Sequence, residues 1–328
     1  SPPRRLSPSV PPLSREPYRD RSQRGARAPW IATRATLASV QTGVVFPQTE
    51  IGTAVGDVRR YAETVEAAGF RHLIAFDHVV GADPEVHAPW TGWYDVDTEF
   101  HEPFVLFGYL AAITKLELAP SIIIMPQRQT ALVAKQAAAV DVLAEGRFRM
   151  GVAVGWNHVE YEALGQDFSS RGRRLDEQIE LMRRLWTERS VTFEGEFDRI
   201  TGAGIAPLPV QRPIPIWIGG GAPPAYRRMG RLADGWMPSV QPGPDLDAAR
   251  AIIARSAEEA GRDPGAIAME GRLNWRPGIT PEEIREIAGR WRDEGASHLS
   301  VDTMGHGLGA VDGHLDALAQ VADALALG

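Results

Sequence analysis

The stretch FRMGVAVGWNH at residues 148–158 contains the pattern that decides the fold. Residues 148–154 are mostly apolar, which is typical of a parallel strand that is buried on both faces. Helical periods follow at residues 158–164 and 173–188. A buried strand that leads directly into a helix is one βα unit of a parallel sheet.

The same alternation of strand and helix extends from this unit toward both ends of the chain. Further β-rich runs occur at residues 43–46, 72–76, 116–124, 214–218, 235–239, 267–274 and 298–302. Helices are predicted at residues 55–68, 131–144, from 223 onward, 246–260, 281–294 and 311–327. Eight units close a barrel, whereas a doubly wound sheet more often stops at five or six strands. We therefore predict an α/β fold, a (β/α)8 TIM barrel over residues 40–328.

Two connections are longer than a normal βα loop and are predicted to be insertion loops at the C-terminal face of the strands. Residues 77–101 are rich in aromatic and acidic side chains, which favours a lid over the site rather than surface decoration. Residues 189–213 contain a predicted small hairpin around Gly195.

Composition excludes several classes of protein. The chain has no cysteine and only two lysines, which argues against thiol, iron–sulfur and Schiff-base chemistry. The first 34 residues carry +6, which leaves −13 on the rest of a chain whose net charge is −7, so nucleic acid is not the expected partner. No apolar run reaches the ~18 residues that span a bilayer, and a cytoplasmic location is predicted.

Residues 1–39 differ in composition from the rest of the chain. They are rich in proline, arginine and serine and show no apolar period, which predicts a disordered N-terminal extension. Arg4-Arg5 invites a twin-arginine export interpretation, but prolines and serines follow where that signal needs an apolar stretch.

The candidate site residues follow the predicted strands, where barrel enzymes keep their chemistry. After strand two, Asp77-His78 is a candidate catalytic pair, in which His78 moves a proton and Asp77 orients it or caps the following turn. After strand four comes Gly155-Trp156-Asn157-His158, in which Trp156 could stack on a planar ring and His158 could bond to a ligand, or the segment could simply start a helix with a buried tryptophan.

Gly219-Gly220-Gly221-Ala222 follows strand five and opens a helix. Such a segment can cradle a phosphate, although it is equally a tight βα turn. No spacing typical of a metal site is found.

Several motifs of the chain resemble the bacterial luciferase-like superfamily, especially its branch that uses the deazaflavin coenzyme F420. These motifs are GVAVGW at residues 151–156, EYEALG at 160–165, RGRRLDE at 171–177, IWIGG at 216–220, ADGW at 233–236, and PQR at 126–128 followed by AKQ at 134–136. The resemblance covers about residues 40–305.

The resemblance implies a role for each candidate residue. Ser121-Ile122 matches the position of a non-prolyl cis peptide that bulges under the cofactor ring. Asp77 and His78 match residues that face the reactive edge of the ring in the sugar-phosphate dehydrogenases of the branch.

The remaining positions are assigned to the cofactor in the same way. Gly155 and Asn157 would line the ring, and residues 219–222 would hold the phosphate. Those dehydrogenases carry a glutamate where this chain has Trp156, which favours a flatter and more apolar substrate than a sugar phosphate.

The sequence therefore predicts an oxidoreductase that transfers a hydride between coenzyme F420 and a small organic substrate. An FMN-dependent monooxygenase supplied by a separate reductase is the first alternative. A flavin-binding barrel without catalytic activity is the second. A homodimer is expected.

Overall fold

The protein folds as a barrel of parallel strands with helices between them. The computed structural model describes residues 40–328. The predicted disordered extension at residues 1–39 lies outside the described residues. The order of the strands in the main sheet is β3-β2-β1-β11-β10-β9-β8-β5-β4, and every pair in it is parallel. The TIM-barrel prediction is confirmed.

The strands follow the predicted runs within a few residues. They are β1 Gln41–Val45, β2 His72–Ala75, β3 Glu117–Pro120, β4 Ile123–Ile124, β5 Met150–Ala153, β6 Val191–Glu194, β7 Arg199–Ala203, β8 Ile216–Gly220, β9 Gly235–Pro238, β10 Ala268–Asn274 and β11 His298–Asp302. Strands β6 and β7 form the antiparallel hairpin that was predicted around Gly195.

Strands β3 and β4 are two halves of one barrel strand. The peptide bond between Ser121 and Ile122 is cis and separates them. Strand β3 pairs with β2, β4 pairs with β5, and an isolated parallel bridge joins Leu118 of β3 to Phe148, two residues before β5. Counted this way, the nine strands of the sheet fill the eight positions of a (β/α)8 barrel.

The helices lie between the strands in sequence. They are α1 Val55–Ala67, α2 Pro103–Ile113, α3 Thr130–Leu143, α4 His158–Ala163, α5 Arg171–Thr187, α6 Pro223–Leu232, α7 Pro244–Glu259, α8 Pro281–Asp293 and α9 Val311–Leu325. Helix α2 was not predicted. Its sequence, PFVLFGYLAAI, is apolar on all sides, so the 3.6-residue alternation that reveals an amphipathic helix is absent.

A polar cluster closes the N-terminal end of the barrel. The buried Glu270 carboxylate contacts His72 Nε2 at 3.2 Å and Arg149 Nη1 at 2.8 Å, and the ring of His298 packs on His72 with centroids 5.3 Å apart. Both histidines are the first residues of their strands, so they lie at the end of the barrel opposite the candidate site. None of the helices in the described part of the chain is long and apolar enough to cross a membrane.

Candidate active site

The cis peptide lies at the C-terminal end of the barrel strands, where both of its residues remain partly exposed. An added Cβ on Gly219 would come within 3.0 Å of Ile122 Cγ2, so the end of β8 packs directly against the bulge. Gly155 has a φ of +66° and lies against Ile124, where an added Cβ would come within 2.6 Å of its Cγ2. Glycine is therefore required at position 155 by both backbone conformation and space.

Arg272 reaches the same bulge from strand β10. Its Nη2 donates to Ser121 Oγ at 3.3 Å, and its Nη1 lies 3.5 Å from Asp302 Oδ2. The guanidinium also covers the ring of Phe76 at 5.6 Å. A partly exposed ion pair therefore borders the mouth of the barrel next to the cis peptide.

Residues 219–222 at the end of β8 are partly exposed, as a phosphate site requires, but they offer few backbone N–H donors. Helix α6 begins with Pro223 and Pro224, which have no N–H, and the next two amides bond to Ala222 O. The backbone N–H groups of Gly221 and Ala222 have no backbone partner among the described residues. Any anion at this end of α6 would rely on these two donors and on the helix dipole.

His78 is held by Glu160, a carboxylate that sequence reasoning did not single out. The Nδ1 atom of His78 lies 3.3 Å from Glu160 Oε2, and the Glu160 side chain is fully buried. Glu160 also accepts hydrogen bonds from the backbone amides of Val79 and Val80 and from Gln127 Nε2. Burial acts to raise the pKa of Glu160, but these hydrogen bonds outweigh it and lower the pKa, so the group is ionised.

Asp77 has different partners from those of its neighbour. Its Oδ2 accepts from the backbone N–H of Ile124 at 3.0 Å, and its Oδ1 pairs with Arg128 Nη2 at 2.6 Å. Burial raises the pKa of Asp77, against the effect of Arg128, which is in turn 3.0 Å from Glu102. The expectation that Asp77 orients His78 is wrong, because Asp77 fixes strand β4 while Glu160 orients the imidazole.

A cavity of about 420 Å³ opens beside His78. It is lined by His78, Val79, Val80, Gly81, Tyr94, Asp95, Val96, Thr98, Phe100 and Asn157. The rings of Tyr94 and Phe100 lie 5.1 and 4.8 Å from the imidazole of His78. The aromatic insertion loop therefore forms most of the wall of a pocket at the candidate site.

Asn157 and Trp156 take separate roles at this cavity. Asn157 is buried and caps α4, since its Oδ1 accepts from the amides of Val159 and Glu160. Trp156 is 37% exposed and packs between His78 and Trp90, with ring centroids 5.8 and 5.9 Å away. The structure thus brings His78, Trp156 and Asn157 together and groups Ser121, Ile122, Gly155 and Gly219 around the bulge.

A larger cavity of about 670 Å³ lies elsewhere, between α5, β6 and α6. Its wall includes Asp176 and Arg231, which pair with each other at 3.0 Å, and it contains none of the candidate residues. Its position away from the strand ends makes it a poor active site despite its size. Among residues 40–328, no group of three or more His, Asp and Glu side chains is arranged to hold a metal ion.

The sequence analysis did not identify Glu160 as a site residue, because a carboxylate at this position is readily explained as part of a helix cap. A carboxylate three residues after an N-cap asparagine is typical of a capping box. In the structure the Glu160 side chain points instead to residues 78–80, some 80 positions earlier in the chain. Only the three-dimensional contact distinguishes these two roles.

Comparison with known families gives one match that spans nearly the whole chain. A family model described as luciferase-like monooxygenase matches residues 35–324. An uncharacterized protein of Mycobacterium tuberculosis is 37% identical over 209 residues, which are 61% of this chain and 71% of that protein.

Two characterised relatives use different cofactors. The F420-dependent glucose-6-phosphate dehydrogenase of Segniliparus rotundus is 29% identical over 230 residues, covering 66% of this chain and 64% of its own. The FMNH2-dependent dimethylsulfone monooxygenase of Pseudomonas putida is 29% identical over 205 residues, covering 61% of this chain and 53% of its own.

Solved structures with the same fold include both F420-dependent enzymes and monooxygenases. An F420-dependent secondary alcohol dehydrogenase in complex with an F420–acetone adduct superposes with a TM-score of 0.69 at 19% identity, over 88% of this chain and 99% of its own. The EDTA monooxygenase of Chelativorans also gives 0.69, at 13% identity, over 88% of this chain and 93% of its own. At these identities the likeness establishes the fold alone.

Proposed function

Because the chain belongs to the luciferase-like monooxygenase family, we propose that it is an oxidoreductase that binds coenzyme F420 and transfers a hydride to or from a small organic substrate. The observation that supports this most directly is the His78–Glu160 pair beside a cavity at the C-terminal end of the strands. A hydride transfer to or from a carbon–oxygen bond needs a group that moves a proton, and this pair is suited to it.

The residues at the mouth of the barrel fit a flat cofactor. The Ser121-Ile122 bulge is partly exposed and is bordered by Gly155 and Gly219, where an added Cβ would run into Ile124 and Ile122. Gly221 and Ala222 supply the two amides that could meet a phosphate. When bound, a deazaflavin or flavin ring would supply the two-electron step, while the protein orients the substrate and handles the proton.

The chemistry assigned to the protein itself begins with Glu160. Since its ionised carboxylate can only accept a hydrogen bond, the Nδ1 of His78 carries the hydrogen. The Nε2 atom is then the nitrogen that takes up or delivers a proton at the substrate. Trp156 packs against the imidazole, and Trp90 packs against Trp156 behind it.

A titration of the full chain with each cofactor tests this proposal. We expect the dissociation constant for F420, followed by its absorbance spectrum, to be lower than that for FMN. If FMN binds more than tenfold tighter, which is about 1.4 kcal/mol, the FMN-dependent monooxygenase with a separate reductase replaces the proposal. Binding of F420 without oxidation of its reduced form by any ketone or enone would favour the non-catalytic flavin-binding barrel.

We also propose that the protein is a homodimer, with the outer face of α2 and α3 as the contact. Helices α2 and α3 pack against each other, and each exposes an apolar side chain at its third position, Val105 at 74% and Leu132 at 53%. A helix that is apolar on all sides normally has every side covered. Light scattering should give twice the chain mass, and Val105→Glu with Leu132→Glu should reduce it to the monomer; a monomeric parent chain would contradict the proposal.

A further inference from the structure

We propose that the cavity beside His78 takes a small organic cation, an amine whose ammonium group lies between the Asp95 carboxylate and the rings of Tyr94 and Phe100. This inference names the substrate class and so rests on the proposed function for the reaction, but the cation site itself follows from the wall of the cavity. All four residues line the same space of about 420 Å³, a size that suits a small molecule.

Asp95 supplies the one carboxylate of the cavity wall, which contains no lysine or arginine among the described residues. One of its oxygens has a structural use, because Oδ1 accepts from the backbone N–H of Asp97 at 3.1 Å and from Thr98 Oγ1 at 3.0 Å. The other oxygen, Oδ2, has no hydrogen-bond partner in the part of the chain that the structure describes. It is therefore the oxygen that can accept a hydrogen bond from a ligand.

The charges around the cavity leave this carboxylate without a cation. Between Asp77 and Glu102 the sequence has no lysine or arginine. Two guanidinium groups at this end of the barrel are already paired, Arg272 with Asp302 and Arg128 with Asp77 and Glu102. The loop around the cavity carries four further acidic residues, which are Asp83, Glu85, Asp97 and Glu99. The resulting surplus of negative charge attracts a cation and repels an anion.

The aromatic rings of the wall favour a cation for a second reason. Tyr94 and Phe100 pack edge to face with centroids 4.7 Å apart. The face of an aromatic ring carries partial negative charge, so an ammonium group beside these rings is attracted to them as well as to Asp95. Burial, together with the charge of Asp302, raises the pKa of Tyr94, so its hydroxyl stays neutral.

The competing ligand classes fit this wall less well. An uncharged molecule would gain the contacts with the rings but would leave the Asp95 carboxylate without a partner. A carboxylate or phosphate ligand would lose its hydration and face a like charge. An amine with an apolar body gains from the rings and the carboxylate together.

The test compares three probes of similar shape, benzylammonium, benzyl alcohol and benzoate, by ligand-observed NMR on the full chain, with and without F420. We expect benzylammonium to bind about tenfold more tightly than benzyl alcohol, because charge-assisted hydrogen bonds are the stronger ones, and benzoate to bind most weakly. The preference for benzylammonium should shrink as salt is added, since salt screens exposed charges.

Equal or tighter binding of benzyl alcohol would overturn the inference even if the cofactor binds as proposed. A preference for benzylammonium in a chain that binds neither F420 nor FMN would refute the proposed function and leave this cation site standing.

Asp95→Asn separates the charge of the residue from its role in the turn. The amide oxygen of asparagine can still accept from Asp97 N and Thr98 Oγ1, so the melting temperature should be retained. Benzylammonium should bind about tenfold more weakly to this variant, whereas the affinity for benzyl alcohol should not change.

Asp83→Asn is the matched control for the loss of charge. Asp83 lies in the same loop and has the same kind of turn, since its Oδ1 accepts from Glu85 N at 2.9 Å, but it is outside the wall of the cavity. This variant should bind benzylammonium like the parent chain. Equal losses of affinity in the two variants would mean that the loop attracts cations as a whole, and would overturn the site at Asp95.

Discussion

Glu160 lies 82 residues after His78 in the chain, yet its Oε2 is 3.3 Å from the Nδ1 of that histidine. The contact joins helix α4, which follows the fourth strand position of the barrel, to the loop after the second. It makes the orientation and the tautomer of a partly exposed imidazole depend on a fully buried carboxylate. The first two predictions test this dependence.

His78→Ala should lower kcat by about 10²- to 10⁴-fold, since a positioned proton donor or acceptor is typically worth that much. The dissociation constant of the cofactor should stay within a few-fold of the parent value. His87→Ala, in the same loop but outside the wall of the cavity, is the matched control and should turn over normally. Parent-like turnover by His78→Ala would show that the proton moves through another group.

Glu160→Gln should reduce kcat with little change in KM, because an amide can still accept from the amides of Val79 and Val80 but no longer provides the anion beside His78. Steady-state kinetics with F420 and a ketone separate the two constants. A purely structural role would instead lower the melting temperature and leave kcat per folded molecule unchanged, and that result would exclude Glu160 as the positioning residue.

Arg128→Ala should destabilise the fold by about 3–5 kcal/mol, because it leaves Asp77 as a buried carboxylate without its cation. Urea unfolding measures the loss. Arg173→Ala, which breaks an exposed pair with Glu196, should have a much smaller effect, because solvent screens that pair. Equal effects of the two substitutions would mean that burial of the Asp77–Arg128 pair has no energetic consequence.

Gly221→Asp should weaken cofactor binding by placing a negative charge where the phosphate is expected. Gly221 is suitable because an added Cβ would meet Ser239 only at an ordinary 3.4 Å, whereas the φ of +138° at Gly220 would strain any side chain there. Gly221→Asn adds nearly the same volume without the charge and should bind the cofactor more tightly than the aspartate variant. Identical affinities in the two variants would locate the phosphate elsewhere.

The polar cluster at the N-terminal end of the barrel should make the free energy of unfolding fall in mild acid. Burial, helped by Arg149 and His72, lowers the pKa of His298 to about 3. The unfolded chain takes up this proton below about pH 6.5 and the folded chain does not, so stability falls as the pH drops from about 6.5 toward 3. At pH 5 the loss from this one group is about 2 kcal/mol.

Urea unfolding of His298→Gln at pH 7 and pH 5 measures that contribution. The free energy of unfolding of this variant should change less between pH 7 and pH 5 than that of the parent chain. The change should not vanish, because burial also lowers the pKa of His314. His306→Gln, at an exposed position, should keep the parent difference. If the free energy of unfolding of His298→Gln changes between pH 7 and pH 5 as much as that of the parent chain, His298 is not a source of the acid sensitivity.

The sequence predicts the barrel because β-rich runs and helical periods alternate along residues 40–328. Helix α2 was missed because an entirely apolar helix has no period. The side chains of Asp77 and His78 were expected to act together because they are adjacent in sequence, but in the structure they contact different groups. Their actual partners, Arg128 and Glu160, belong to other βα units and are set by tertiary packing.

Nine of the ten residues that line the cavity beside His78 belong to a single continuous segment, residues 78–100. This segment is tied to itself by the hydrogen bond from Val96 N to Ala82 O and to the barrel by Glu160. Under the proposed function, ligand selection would be encoded mainly in this segment and cofactor binding mainly in residues of other βα units. Grafting residues 78–100 into a related barrel, together with Glu160 and Asn157, should transfer the ligand preference. New specificities can then arise by exchange of this one segment.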